Sequence, residues 1–254
     1  HLGSTRLVVR RGSPTQHADL DLVSPQTSQS IIILPDNEDH LPDATTIKTI
    51  LALVKAPDRR PEPYRIVAVL GQAQNIEIAN LVGGEEVKVV LSGDVIARIM
   101  AQTCLQPGLS VVYTDLLDFA GDEIYFYEES ALVGKSFGEV LFAYESSTVI
   151  GIYTCDNKLH LLPPMETIFK KGDQVVAISA DDDCVILSKL KKIPIQQEWI
   201  ENKASALSLP GRILILGWNW RACTLIRQLD SYTAAGSILT VAAIHPTVEL
   251  EIDQ

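Results

Sequence analysis

The stretch SIIILPDNEDHLPDATTIKTILALVK, residues Ser30 to Lys55, contains the repeating unit of the fold. Its first residues, Ser30 to Asp36, form a β-branched run that is typical of a strand buried on both faces of a parallel sheet. Apolar residues then recur at helical spacing from Ile47 to Val54, and Asp43 is predicted to cap that helix. The stretch therefore predicts a strand, an acidic loop and a helix.

The same unit recurs along the first half of the chain. Strands are predicted at Tyr64 to Leu70 and at Glu86 to Ser92, and each is followed by a helical pattern. A further short strand is predicted at Thr5 to Arg10. This alternation favours an α/β fold with a Rossmann-like, doubly wound parallel sheet.

The pattern changes after Pro107. Gly108 to Phe119 predicts a helix with one apolar face, and the strands that follow are short and separated by turns, which predicts a smaller α+β unit. The predicted organisation is a Rossmann-like unit over residues 1–120, the smaller unit over 121–195, a polar linker over 196–210 and the beginning of a second Rossmann-like unit over 211–254.

The last unit begins with RILILGWNWRACTLIRQLD, Arg212 to Asp230, which predicts a strand, a turn and a helix. A dinucleotide site at such a turn needs glycines that let the backbone approach a pyrophosphate, and an acid after the next strand that holds a ribose. Gly217 fills the first glycine position, but Asn219 replaces the second, and no acid ends the next strand. We therefore expect no nucleotide at Gly217.

The acidic loop offers a different chemistry. Four carboxylates follow the first buried strand, at the edge where open α/β sheets hold ligands: Asp36, Glu38, Asp39 and Asp43. Several hard oxygens on one loop suit Ca²⁺, although the spacing is not that of an EF-hand. The alternative is a solvated loop that caps the helix. The same two interpretations apply to a second acidic run, Asp181 to Asp183.

Composition argues against several classes of protein. Thirty-two acidic residues against 21 basic ones give a net charge of -11 in 254 residues, which argues against nucleic acid as a partner. The cysteines and histidines lack zinc-site or redox spacing, and no nucleophile motif is present, so we do not predict an enzyme. The four cysteines are expected to be buried thiols: Cys104, Cys155, Cys184 and Cys223.

Several segments together resemble one known family. They are similar to the RCK (regulator of K⁺ conductance) gating domains of the CASTOR/POLLUX ion channel family, especially bacterial relatives. The segments are VVRRGSPTQHADL, IIILPDNEDHLPDATTIKTILAL, GDVIARIMAQTCLQPGL and the GW turn, which lacks the full glycine motif of a dinucleotide site. The resemblance implies an RCK N-lobe without its first strand-helix-strand, a smaller C-lobe and the start of a second RCK domain.

The resemblance also implies a function. RCK domains assemble as a gating ring on the cytoplasmic face of the membrane, so it implies self-association into a dimer or ring and attachment to a transmembrane pore domain of the same full-length protein. Ca²⁺ regulation is implied by the plant members. Two alternatives remain at this point: an NAD-dependent oxidoreductase, and a detached regulatory subunit of a potassium transport system.

Overall fold

The computed structural model describes residues 5–36, 38–188, 198 and 209–244. The chain divides into two compact units, one formed by His1–Ala101 with Pro210–Gln254 and the other by Gln102–Leu209. The first boundary thus lies at residue 101 rather than near 120. The segment predicted to begin a separate unit groups with the first unit.

A parallel sheet with its crossover helices forms the first unit. Its elements are α1 (His17–Asp21), β1 (Ile31–Ile33), α2 (Pro42–Val54), β2 (Ile66–Leu70), α3 (Ile76–Gly83), β3 (Val87–Leu91) and α4 (Ser92–Leu105). The strands lie in the order β1-β2-β3, and both pairings are parallel. The α/β class and the strand-helix alternation are confirmed.

The core of this unit lies on one face of the sheet. Ile33, Ile66 and Leu70 are buried there with Ile50 of α2 and Ala79 of α3. The opposite face carries Ile32, which is 70% exposed, and Val67 and Val90, which are about 40% exposed. The prediction that these strands are buried on both faces is wrong, because α2 and α3 cover one face and no described residues cover the other to the same extent.

Residues Thr5 to Arg10 do not form the predicted strand. They have no regular secondary structure and are exposed, with Val9 at 73%. A short apolar run is not sufficient for a strand, since the ladder needs a neighbouring strand with free backbone groups.

An ion pair anchors the loop before β2. Arg59 donates to both carboxylate oxygens of Glu86, at 3.0 and 2.9 Å, and the backbone N–H of Tyr64 donates to the same carboxylate at 2.6 Å. Burial opposes ionisation of Glu86, but the hydrogen bonds from Arg59 and Tyr64 outweigh it and lower the pKa of this carboxyl. The pair is mostly buried, so it contributes more than a surface salt bridge.

We expect Glu86→Gln to lower the free energy of unfolding by about 1–2 kcal/mol at pH 7, because the amide offers one acceptor oxygen in place of the two that accept these three hydrogen bonds. A lowered pKa in the folded state stabilises the protein above the ordinary glutamate pKa, and this stabilisation is lost as the pH falls through the folded value. The difference between wild type and variant should therefore shrink below about pH 4. Urea denaturation at pH 7 and pH 3.5 measures it, and a constant difference would contradict this role.

The second unit is the predicted smaller α+β unit. Its elements are α5 (Leu109–Leu117), β4 (Glu123–Tyr127), α6 (Phe137–Val140), β5 (Thr148–Tyr153), β6 (Leu159–Leu161) and β7 (Gln174–Ser179). The strands lie in the order β4-β7-β5-β6 with antiparallel pairing throughout. Phe137 and Val175 are fully buried in its core, and a capping box of Ser136 and Glu139 begins α6.

The remaining elements are β8 (Arg212–Leu216), α7 (Ala222–Tyr232) and β9 (Ile238–Ala242). The two strands pair in parallel, with α7 as the crossover between them. This is the predicted strand-helix-strand that begins a second Rossmann-like motif.

Candidate functional site

The acidic loop lies between β1 and α2, as predicted, and local hydrogen bonds shape it. Asp36 accepts from the backbone N–H of Glu38 at 2.9 Å. Asp39 accepts from the N–H of Leu41 at 2.9 Å and from the hydroxyl of Thr45 at 2.5 Å. The Thr45 bond, followed by the Leu41 bond, lowers the pKa of Asp39, so this carboxyl stays ionised in mildly acidic solution.

Asp43 has a different environment from the other three acids. It is 8% exposed, and its carboxylate accepts from the N–H of Gly71 at 2.8 Å, the N–H of Gln72 at 3.0 Å and the side-chain amide of Asn75 at 2.7 Å. The N-cap of α2 is Leu41, so the predicted capping role of Asp43 is wrong. Its carboxylate instead fastens the turn after β2 to the beginning of α2.

Three of the four predicted ligands border one cavity. A cavity of about 610 Å³ lies between the α1 region, β1 and α2, and Asp36, Glu38 and Asp39 line it. Apolar side chains such as Leu20 and Ile33 form much of the rest of its wall. The structure thus brings three carboxylates to the carboxyl end of β1 and directs Asp43 elsewhere.

The second acidic run is more compact. Among the described residues, Asp181, Asp182 and Asp183 are the only group of three or more potential ligands whose atoms all lie within 4.8 Å of one another. All three are exposed, and Asp181 accepts from the N–H of Asp182 at 2.8 Å. The carboxylates at the cavity are farther apart, so a cation there would need water or backbone oxygens between them.

The turn after β8 begins with a glycine in the left-handed region of backbone conformation. Gly217 has a φ of 91°, in the region that favours glycine, and its N–H donates to Ala242 at 2.8 Å. The amide oxygen of Asn219 accepts from the N–H of Arg221 at 2.9 Å, which occupies a donor that a phosphate would use. That no nucleotide binds here stays a prediction.

Cysteines and histidines give no sign of a metal or redox centre in the described ranges. Cys104 and Cys155 are exposed, and Cys184 and Cys223 are half-buried, so the expectation of four buried thiols is wrong. Their apolar neighbours in sequence belong to surface elements, which sequence pattern alone does not reveal. The three described histidines, His17, His40 and His160, are exposed. In the parts of the chain that the structure covers, no helix combines the length and the apolar character needed to cross a bilayer.

The sequence is similar to a set of plant channel proteins. Residues 93–195 match the family described as "Castor and Pollux, part of voltage-gated ion channel". The chain is 30% identical over 250 residues to the probable ion channel POLLUX of Oryza sativa subsp. japonica, which covers 97% of this chain and 26% of that protein. It is 31% identical over 254 residues to the probable ion channel CASTOR of the same species, covering 98% of this chain and 28% of that protein.

The fold is similar to that of a solved gating ring. The human SLO3 gating ring aligns with a TM-score of 0.61 at 13% sequence identity, over 91% of this chain and 55% of that chain. This likeness confirms the expected RCK-type fold. The relatives named above are plant proteins, so the bacterial part of the expectation receives no support from them.

The chain therefore spans between a quarter and a third of the length of these relatives, and over almost all of its own length it is similar to the CASTOR/POLLUX ion channel proteins.

Proposed function

We propose that this chain is the regulatory, gating-ring region of a cation channel. In this role it binds an ion or small ligand and couples that binding to the opening of a pore in the full-length protein. The observation that carries the proposal is the similarity to POLLUX and CASTOR over almost the whole chain, together with the fold of a gating ring. The relatives bear the names of ion channels, which favours regulation over the oxidoreductase alternative.

Coupling of this kind has a thermodynamic requirement. A ligand shifts pore opening only by as much as its affinity differs between two arrangements of the ring. In this role the region would act at the cytoplasmic face of the membrane. It would contact other copies of itself and the pore domain. The chain divides into two compact units, and a unit that keeps its own fold suits a role in which copies change their arrangement.

For the ligand, we propose a divalent cation at the cavity beside β1. Asp36, Glu38 and Asp39 line it, and the hydrogen bonds to Asp39 hold that carboxylate ionised and oriented. Ca²⁺ accepts six to eight oxygens in flexible geometry, so three carboxylates with water and backbone oxygens suffice, whereas Mg²⁺ requires a stricter octahedron. Asp43, engaged by three donors, would position the loop rather than bind the ion.

Calorimetric titration with CaCl₂ tests this site. We expect Asp39→Asn to weaken Ca²⁺ binding by at least about tenfold, because it removes a full charge from a site with few ligands. Asp182→Asn is the matched control, since it removes the same charge from the exposed run and should leave the titration unchanged. Equal heats in all three proteins, or a loss only in the Asp182 variant, would place the cation elsewhere.

A further inference from the structure

The turn between β8 and α7 contacts α4 at one defined point. The six-membered ring of Trp220 lies directly against the α-carbon of Gly93. A β-carbon built on Gly93 would lie 2.2 Å from Cζ3 and 2.4 Å from Cη2 of that ring, far inside van der Waals contact. Only a glycine lets the ring approach this closely, so the two residues form a complementary pair.

Helix propensity alone does not account for glycine at this position. Gly93 is the second residue of α4, and glycine is less favourable than alanine in a helix. It is also buried, so a residue here must fit its neighbour. The contact with Trp220 supplies the physical reason for the glycine.

Neighbouring residues hold the Trp220 ring in place. The guanidinium of Arg221 lies over the ring at 4.2 Å from its centroid, and the Nε of Arg221 is buried without a hydrogen-bond acceptor in the described part of the chain. Because Nε donates no hydrogen bond there, stacking on the indole is what holds the guanidinium in position.

We propose that the β8–α7 turn is an intramolecular docking site, in which Trp220 fastens the second Rossmann-like segment to α4. Residues that would approach a pyrophosphate in a dinucleotide site here make a contact between protein elements. The inference depends on neither the cation site nor the channel function. At the same turn Gly217 keeps a positive φ, while the second glycine position holds Asn219.

The contact between Trp220 and Gly93 lies on the helix that crosses the boundary between the two compact units. The boundary between the two compact units falls within α4, between Ala101 and Gln102. Trp220 therefore docks on the helix that leads from one unit to the other. Displacement of the turn would act on that helix directly.

A double-mutant cycle on the 254-residue chain tests the contact. Gly93→Ala should lower the melting temperature by about 2–4 °C, because the added methyl displaces the ring. In a Trp220→Ala background the same Gly93→Ala change should raise it, because only the better helix propensity of alanine then remains. Gly211→Ala is the control, since a β-carbon there meets nothing within 4 Å. A rise of equal size in both backgrounds would overturn the proposal.

Tryptophan fluorescence gives a second readout that does not depend on stability. In a chain with Trp199→Phe and Trp218→Phe, the remaining emission comes from Trp220. We expect Gly93→Ala to shift this emission to longer wavelength and to increase its quenching by acrylamide, whereas Gly211→Ala should change neither. A Trp220 that is already fully quenchable before the Gly93 substitution would show that the ring does not dock.

Discussion

Asp43→Ala is expected to lower the free energy of unfolding of the first unit by about 2–4 kcal/mol, because it removes the shared acceptor of three hydrogen bonds. The N–H groups of half-buried Gly71 and exposed Gln72 would lose the buried carboxylate that joins them to α2. The variant would also lose a negative charge in the first turn of α2, where that charge interacts favourably with the positive end of the helix dipole. Urea denaturation followed by circular dichroism measures the change.

Two further variants separate this role from a simple effect of charge. Asp43→Asn keeps the shape but offers one acceptor oxygen in place of two, so it should be destabilising by an intermediate amount. Asp36→Ala removes the same charge from an exposed position with one local hydrogen bond, and it should change stability by less than about 0.5 kcal/mol. Equal effects of Asp43→Ala and Asp36→Ala would show that the three hydrogen bonds do not stabilise the fold.

The second large effect concerns self-association. Helix α5 has no buried residue, and it exposes Val111, Val112 and Leu117, which are 70%, 49% and 75% exposed. Phe119 just beyond it is 95% exposed. A cluster of exposed apolar side chains of this kind typically marks an interface. We expect the chain to form dimers or larger oligomers at tens of micromolar, and Val112→Asp to shift it to the monomer in sedimentation velocity.

Ser110→Asp is the control for that experiment. It adds the same charge to the same helix, about 160° around the axis from Val112 but only about 20° from Leu117, so it separates a contact on the Val112 face from one on the Leu117 face. Oligomers that survive Val112→Asp, or a wild type that stays monomeric at high concentration, would rule out α5 as the contact.

The sequence predicted the positions of strands and helices more accurately than it predicted which of their side chains are buried. The β-branched runs and helical spacing of the first unit located β1, β2, β3 and their helices to within a few residues. They did not reveal that the described residues leave one sheet face largely uncovered, because burial depends on which elements lie above a strand. For the same reason Thr5 to Arg10 looked like a strand: a ladder partner is a property of the fold, which local pattern does not contain.

The candidate site was predicted in part. The acidic loop lies at the carboxyl end of β1, as the topology of α/β sheets requires, and three of its acids border the cavity. The role of Asp43 could not be predicted, since its donors are 28 to 32 residues away in the sequence. The Gly93 contact with Trp220 is still more distant, and a glycine near the beginning of a helix gives no signal of it.

Single-channel recording of the full-length protein in a planar bilayer tests the regulatory role most directly. If this chain regulates a pore that it does not itself form, Asp39→Asn should reduce the Ca²⁺ dependence of the open probability, while conductance and ion selectivity stay at wild-type values. Asp182→Asn should behave as wild type. A changed conductance or selectivity, an unchanged open probability in the Asp39 variant, or the absence of any ion current would contradict the account.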